Sequence, residues 1–240
     1  MHGLYVSKIM MKGGCEDSYV AELPVVRWLR HQRELRFEQP VTFFVGENGT
    51  GKSTLIEAIA VACGFNAEGG SKNFNFATRD TTSGLADFLT VARSQYPQDG
   101  FFLRAESFYN VATAVEELEL SLDGYGGRSL HDQSHGESFL ALVQNRFRGH
   151  GLYLMDEPEA ALSPSRQLTL IAELHRLVGE GSQFIIATHS PLLLAYPQAT
   201  IYQLSESGVE QVAYEECAHY QLTKRFLNDH TRLLKYLLEE

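Results

Sequence analysis

Val41-Thr42-Phe43-Phe44-Val45 runs directly into Gly46-Glu47-Asn48-Gly49-Thr50-Gly51-Lys52-Ser53, and the reading of this stretch decides the fold. The apolar, β-prone run predicts a buried strand, the G-x-x-x-x-G-K-S run a tight turn, and Thr54-Leu55-Ile56-Glu57-Ala58-Ile59-Ala60 the helix that follows. A strand that ends in a glycine-rich turn at a helix start aims several backbone N–H groups at one point, and the helix dipole favours an anion there. Gly46, Glu47, Asn48, Gly49, Thr50, Gly51, Lys52, Ser53 and Thr54 are therefore the candidate residues for cradling nucleotide phosphates. Lys52 is expected to reach the β- and γ-phosphates, and Ser53 to hold Mg²⁺ through its hydroxyl.

Outward from this turn, short apolar runs alternate with helical periodicity, the pattern of an α/β sheet with crossover helices. Strands are predicted at Val41 to Val45, Phe101 to Ala105, Leu152 to Met155, Phe184 to Ala187, Thr200 to Leu204 and Val209 to Tyr214. A helix is predicted after Leu162, with Ser163 as its cap, Pro164 at its first position and an end at Gly179 or Gly181. Two of the strands deliver chemistry at their carboxyl ends, where open α/β sheets bind ligands. Leu152-Tyr153-Leu154-Met155 presents Asp156 and Glu157, which alternate in direction and so take different roles: Asp156 toward Mg²⁺, Glu157 as base for an attacking water. Phe184-Ile185-Ile186-Ala187 presents Thr188 and His189, the latter within reach of a γ-phosphate or that water.

With 240 residues and 44% hydrophobic content, the chain can bury one full core. Its formal net charge of -10 argues against a surface that binds nucleic acid everywhere, because phosphate neutralisation needs clustered Lys and Arg. The densest basic stretch, Arg27, Arg30, His31, Arg33 and Arg36, reads as a solvated face beside the core. Cys15, Cys63 and Cys217 are few and far apart, which fits a reducing compartment. The first residues lack a signal-peptide pattern and no apolar run approaches the roughly 20 residues of a membrane span, so a cytoplasmic location is expected. Residues 66–100 are rich in Gly, Asn, Ser and Thr, and no linker divides the chain. The expectation is one domain over residues 1–240 with an inserted, loop-rich helical lobe at about 66–150. Two short amphipathic helices are predicted at Tyr220 to Leu227 and Thr231 to Leu238, packed on the sheet or extending a dimer.

His131-Asp132-Gln133-Ser134-His135-Gly136-Glu137 precedes a helical run, Ser138 to Phe147, and reads by itself as a capped helix start. In this order the pieces resemble the ABC-type ATPases. Gly46 to Ser53 is similar to their Walker A loop, Asp156 and Glu157 to the end of their Walker B strand, Ala161-Leu162-Ser163 to their D-loop and His189 to their switch histidine. Ser134 and Gly136 fall on matching positions of the Leu-Ser-Gly-Gly-Gln signature, from which Gln133, His135 and Glu137 depart. The Ser-His-Gly-Glu form is similar to small stand-alone bacterial AAA-family proteins. The interval from Lys52 to Ser134 is too short for the coiled-coil arms of chromosome-maintenance ATPases. A glutamine loop is not evident; Glu106 and Ser107 are the candidates.

The resemblance implies a P-loop NTPase fold, a mixed sheet flanked by helices, that binds ATP and Mg²⁺ and hydrolyses the γ-phosphate. Glu157, His189 and Lys52 would be catalytic, Ser53 and Asp156 the metal ligands. It also implies a head-to-tail homodimer in which Ser134 and Gly136 of one subunit cover the ATP of the other, acting as a switch on a protein or nucleic-acid effector. The alternatives are the ATPase subunit of a membrane transporter, which would need a separate permease, and a DNA-repair or phage-defence ATPase.

Overall fold

The computed structural model describes residues 4–14, 18–71, 83–106, 108 and 134–238. Ser107, His131 and Gln133 of the sequence reading lie outside the described residues, as does Cys15. Among the described residues, nine strands form two sheets. The larger has six, in the order β5 (Asp99–Arg104), β6 (Gly151–Asp156), β7 (Gln183–Ala187), β3 (Val41–Gly46), β8 (Thr200–Ser205), β9 (Gly208–Val212). All neighbours pair in parallel except β8 with β9, a hairpin at the edge. All six predicted strands are present, within two residues at each end.

Parallel strands covered on both faces read as continuous apolar runs, and each of the central ones divides its side chains by alternation. Phe43, Val45, Phe101, Leu103, Tyr153, Met155, Phe184 and Ile186 face one core, with α3 (His135–Arg146) and α4 (Pro164–Gly179). Phe44, Phe102, Leu152, Leu154, Ile185 and Ala187 face the other, with α1 (Pro24–Gln32) and α2 (Lys52–Ala62). On the first face the Tyr153 ring stacks on Phe147 (centroids 4.1 Å apart) and Phe184 (5.2 Å). Its hydroxyl donates to Asp99 Oδ2 at 2.9 Å, so the one polar atom of a fully buried ring is satisfied.

The smaller sheet, order β2 (Glu34–Arg36), β1 (Val6–Met11), β4 (Leu89–Arg93), is antiparallel and covers the second core. The sequence does not announce it, for a physical reason. The β1–β4 register shifts between Val6 and Lys8, so the buried residues of β1, Val6, Ile9 and Met11, do not keep a period of two. Of the segment at about 66–150, Leu89–Arg93 and Asp99–Arg104 are strands of the two sheets and His135–Arg146 is a helix. The basic stretch lies along α1 and β2, where Arg27, His31, Arg33 and Arg36 are exposed; Arg27 meets Glu206 at 3.3 Å and Arg36 meets Glu34 at 2.6 Å.

The C-terminal helices are α6 (Ala218–Asn228) and α7 (His230–Leu238), following the single turn α5 (Pro191–Leu194). In this single chain neither buries a residue, and Leu222, Leu227, Tyr236 and Leu237 are exposed. Their root meets the domain through fully buried Cys217, and Tyr220 packs on Tyr214 with ring centroids 4.5 Å apart. No helix among the described residues is long and apolar enough to cross a membrane.

Candidate nucleotide site

Register brings the chemistry to one edge. Arg104 pairs with Asp156, Asp156 with Ala187, and Ala187 with Phe44, so four parallel strands end in a common row. Beyond that row stand the glycine turn after β3, Glu157 after β6, and Thr188 and His189 after β7. Backbone bonds hold the row together: Glu157 N–H donates to Ala187 O (2.9 Å) and Thr188 N–H to Phe44 O (3.0 Å).

The turn needs its glycines where the backbone is crowded. Gly46 has φ +155°, and a Cβ there would stand 2.2 Å from the Leu204 carbonyl oxygen. Gly51 caps α2 at φ +95°, with Val25 2.6 Å from where its Cβ would be. Because α2 begins at Lys52, the N–H groups of Lys52, Ser53 and Thr54 have no acceptor inside the helix. Lys52 is 4% exposed, and its Nζ donates to Gly46 O (2.8 Å) and Glu47 O (3.0 Å), folding back over the turn. Burial lowers the Lys52 pKa, opposed by the charges of Glu157 and Asp156.

Alternation along β6 turns Asp156 toward α2, where Ser53 Oγ donates to its Oδ1 at 3.1 Å. Burial pushes the Asp156 carboxyl up to about 6, against the pull of Arg104 and the Ser53 hydroxyl. Glu157 does not continue the alternation: at φ 50°, ψ 51° it leaves the strand in a left-handed turn. That turn sets its Oε1 3.5 Å from His189 Nε2. Burial, then the Lys52 charge, lowers the His189 pKa, and Glu157 opposes both. The ring is therefore neutral near pH 7.

Four further residues complete the cluster. Arg104 Nη1 meets Glu57 Oε2 at 3.0 Å and its Nε approaches Asp156 Oδ2 at 3.6 Å, so one guanidinium spans two nearly buried carboxylates. Glu159 accepts from His189 N–H (2.5 Å) and the Thr188 hydroxyl (2.7 Å), pinning the turn that carries the imidazole. His219 Nε2 lies 3.1 Å from His189 Nδ1. Of these, Glu57 was within reach of sequence reasoning, four residues after Ser53 on one helix face. Arg104 is the last residue but one of a predicted strand and Glu159 is two residues past Glu157. Nothing local marks His219.

Ser134 and Gly136 have a different setting. Glu137 accepts from the Ser134 N–H (3.0 Å) and hydroxyl (2.7 Å), and Arg166 reaches both Ser134 Oγ (3.2 Å) and Glu137 (3.0 Å). Gly136 packs where a Cβ would meet Arg166 and the Ala161 carbonyl at 2.6 and 2.9 Å. These residues are held by α4 and the turn after β6, whereas Lys52, Ser53, Asp156, Glu157 and His189 form the cluster at the strand ends.

Ser53 and Asp156 supply a hydroxyl and a carboxylate side by side, the small oxygen-donor set that Mg²⁺ takes together with phosphate oxygens and water. The residues fit that ion. A parallel-rich sheet with a lysine-bearing glycine turn opposite an acidic strand end defines a P-loop nucleotide-binding domain.

Comparisons with known proteins agree. A family model described as "AAA domain" matches residues 25–140, and one described as "AAA domain, putative AbiEii toxin, Type IV TA system" matches residues 112–195. The cobalt import ATP-binding protein CbiO of Salmonella typhimurium is 25% identical over 211 residues, 76% of each chain. A "Putative ABC transporter ATP-binding protein" of Geobacter sulfurreducens is 32% identical over 117 residues, 47% of this chain and 40% of that protein. The fold is similar to that of cbiO1 from Clostridium perfringens, part of the ABC transporter complex cbiONQ (TM-score 0.52, 15% identity, 99% and 100% of the two chains). It is also similar to that of MJ1267, an ATP-binding cassette of an ABC transporter (TM-score 0.51, 16% identity, 98% and 99%). In sequence and fold the chain is similar to the ABC-type P-loop ATPases.

Proposed function

We propose that this chain binds ATP with Mg²⁺ at the strand-end cluster and hydrolyses the γ-phosphate, and that ATP-bound copies pair head to tail as a switch on another macromolecule in the cytoplasm. The observation that carries this reading is the single row uniting Lys52, the Ser53–Asp156 pair at 3.1 Å and the Glu157–His189 pair at 3.5 Å. In it, the N–H groups at the start of α2 and the Lys52 ammonium hold phosphate oxygens. Ser53 and Asp156 hold Mg²⁺, which when bound withdraws charge from the phosphate oxygens. Glu157 orients and deprotonates water, and neutral His189 donates from Nε2 toward the transferred group. A cation held there would favour the ionised Asp156 carboxylate against the burial that raises its pKa.

The separate setting of Ser134 and Gly136 at the start of α3 supports pairing, in which this helix start would cover the nucleotide of a partner copy. A contribution supplied in trans is worth about 10³–10⁵ in rate for groups of the arginine-finger kind, so lone subunits would turn over slowly. A second reading, an ATPase subunit serving a separate permease, draws on the printed names of the relatives, one of them a cobalt import protein. Co-purification with an integral membrane protein would favour it.

The test uses two variants. Glu157→Gln with ATP should elute as a dimer on a sizing column and turn over about 10²–10⁴ times more slowly. Lys52→Ala should lose nucleotide binding. Monomeric Glu157→Gln with wild-type turnover, or Lys52→Ala with unchanged rates, would refute the mechanism.

A further inference from the structure

One side chain reaches the cluster from far along the chain. His219 sits in the first turn of α6, and its Nε2 stands 3.1 Å from His189 Nδ1, with ring centroids 5.2 Å apart. It is firmly placed. The Ala218 N–H donates to Gln203 Oε1 on β8 (2.9 Å), Cys217 is fully buried, and the Tyr214 hydroxyl donates to the Pro191 carbonyl (3.0 Å), two residues beyond His189.

The direction of the imidazole–imidazole bond follows from two independent arguments. A neutral imidazole has one N–H and one lone pair, and an ionised carboxylate only accepts. His189 Nε2 faces Glu157 Oε1, so Nε2 carries the proton and Nδ1 accepts; the donor to Nδ1 must then be His219 Nε2–H. Separately, His219 Nδ1 is buried and has no hydrogen-bond partner among the described residues. An orphaned buried N–H is rarer than an unpaired acceptor, so this nitrogen holds the lone pair and the proton is again on Nε2. Burial lowers the pKa of both rings, which favours the neutral pair.

We propose that His219 is a positioning residue: its Nε2–H holds His189 in the tautomer that presents Nε2–H to Glu157 and to the space beyond the strand ends. Without that donor, His189 Nδ1 loses its partner and the proton redistributes between the two nitrogens, so a fraction of the molecules present a lone pair where a donor is needed. Second-sphere partners of this kind change activity by about tenfold to a hundredfold in metal sites, and the same range applies to a tautomer lock. The consequence for rate rests on the ATPase reading above. The consequence for the tautomer does not.

The experiment reads both. Nitrogen-15 NMR of histidine-labelled protein, with His189 identified by its loss in His189→Gln, should show an unprotonated Nδ1 and a protonated Nε2. His219→Ala should shift both signals toward a tautomer mixture, with His219→Phe as the variant that keeps ring volume if the alanine protein fails to fold. His219→Gln places an amide N–H donor at similar reach and should restore the wild-type pattern. ATP turnover should fall about tenfold or more in His219→Ala, with KM changed less than about twofold, and recover in His219→Gln. A wild-type His189 protonated on Nδ1, or signals indifferent to His219, would overturn the proposal, as would a glutamine variant no better than alanine. Intact tautomer signals in a wild-type protein without turnover would overturn the ATPase reading alone.

Discussion

Removal of the Asp156 charge should make the protein's stability less dependent on pH, by an amount the structure sets. The carboxyl is 5% exposed and its pKa is raised from 3.8 to about 6, burial being the largest cause. For an acid whose folded pKa lies above its unfolded one, the folded state holds the proton more tightly. Stability is therefore greatest below the unfolded value and is lost as pH rises through the folded one. Over the full window the loss is about 3 kcal/mol, and about 1 kcal/mol of it falls between about pH 5 and about pH 7.5. Urea denaturation in EDTA of wild type and Asp156→Asn at those two pH values isolates the term, because the amide has no charge to desolvate. The asparagine variant should gain about 1 kcal/mol on wild type as pH rises, whatever its absolute stability. Parallel stability curves, within about 0.5 kcal/mol, would show that the carboxylate is hydrated and that the reasoning about the acidic strand end is wrong.

Two further substitutions test the frame around the site. Arg104→Met leaves Glu57 and Asp156, at 9% and 7% side-chain exposure, without their shared guanidinium. It should cost about 3–5 kcal/mol in urea denaturation, and a loss under about 1 kcal/mol would mean that water already neutralises the pair. Gly46→Ala drives a Cβ to 2.2 Å from the Leu204 carbonyl at a positive φ, so β3 and β8 must separate. A drop in thermal midpoint of about 4 °C or more is expected for a cost above about 2 kcal/mol; an unchanged midpoint would contradict the close approach.

The parts of the site legible in the sequence are those whose geometry is local. A glycine turn between a strand and a helix positions Lys52 and Ser53 within one short segment, and apolar runs that end abruptly in Asp156-Glu157 and in Thr188-His189 mark strand ends. Alternation along the strand carries as far as Asp156 and not to Glu157, because Glu157 itself is left-handed at φ 50° and lies past the strand end. The N-terminal sheet was illegible because its register shift breaks the period on which strand recognition depends. For the C-terminal helices, amphipathicity revealed the helices but not what they face, since an apolar stripe does not specify its cover.

By itself the sequence determined the glycine turn between strand and helix, the strands that carry acid and imidazole, and the parallel-rich class of sheet, because each is written in residues close enough along the chain to share one element. Only the tertiary structure decided that Arg104 joins Glu57 to Asp156, that Glu159 pins the His189 turn and that His219 meets His189. These contacts join residues 29 to 52 positions apart, across separate strands and helices. No periodicity or propensity spans such an interval; the row in which parallel strands end supplies the proximity.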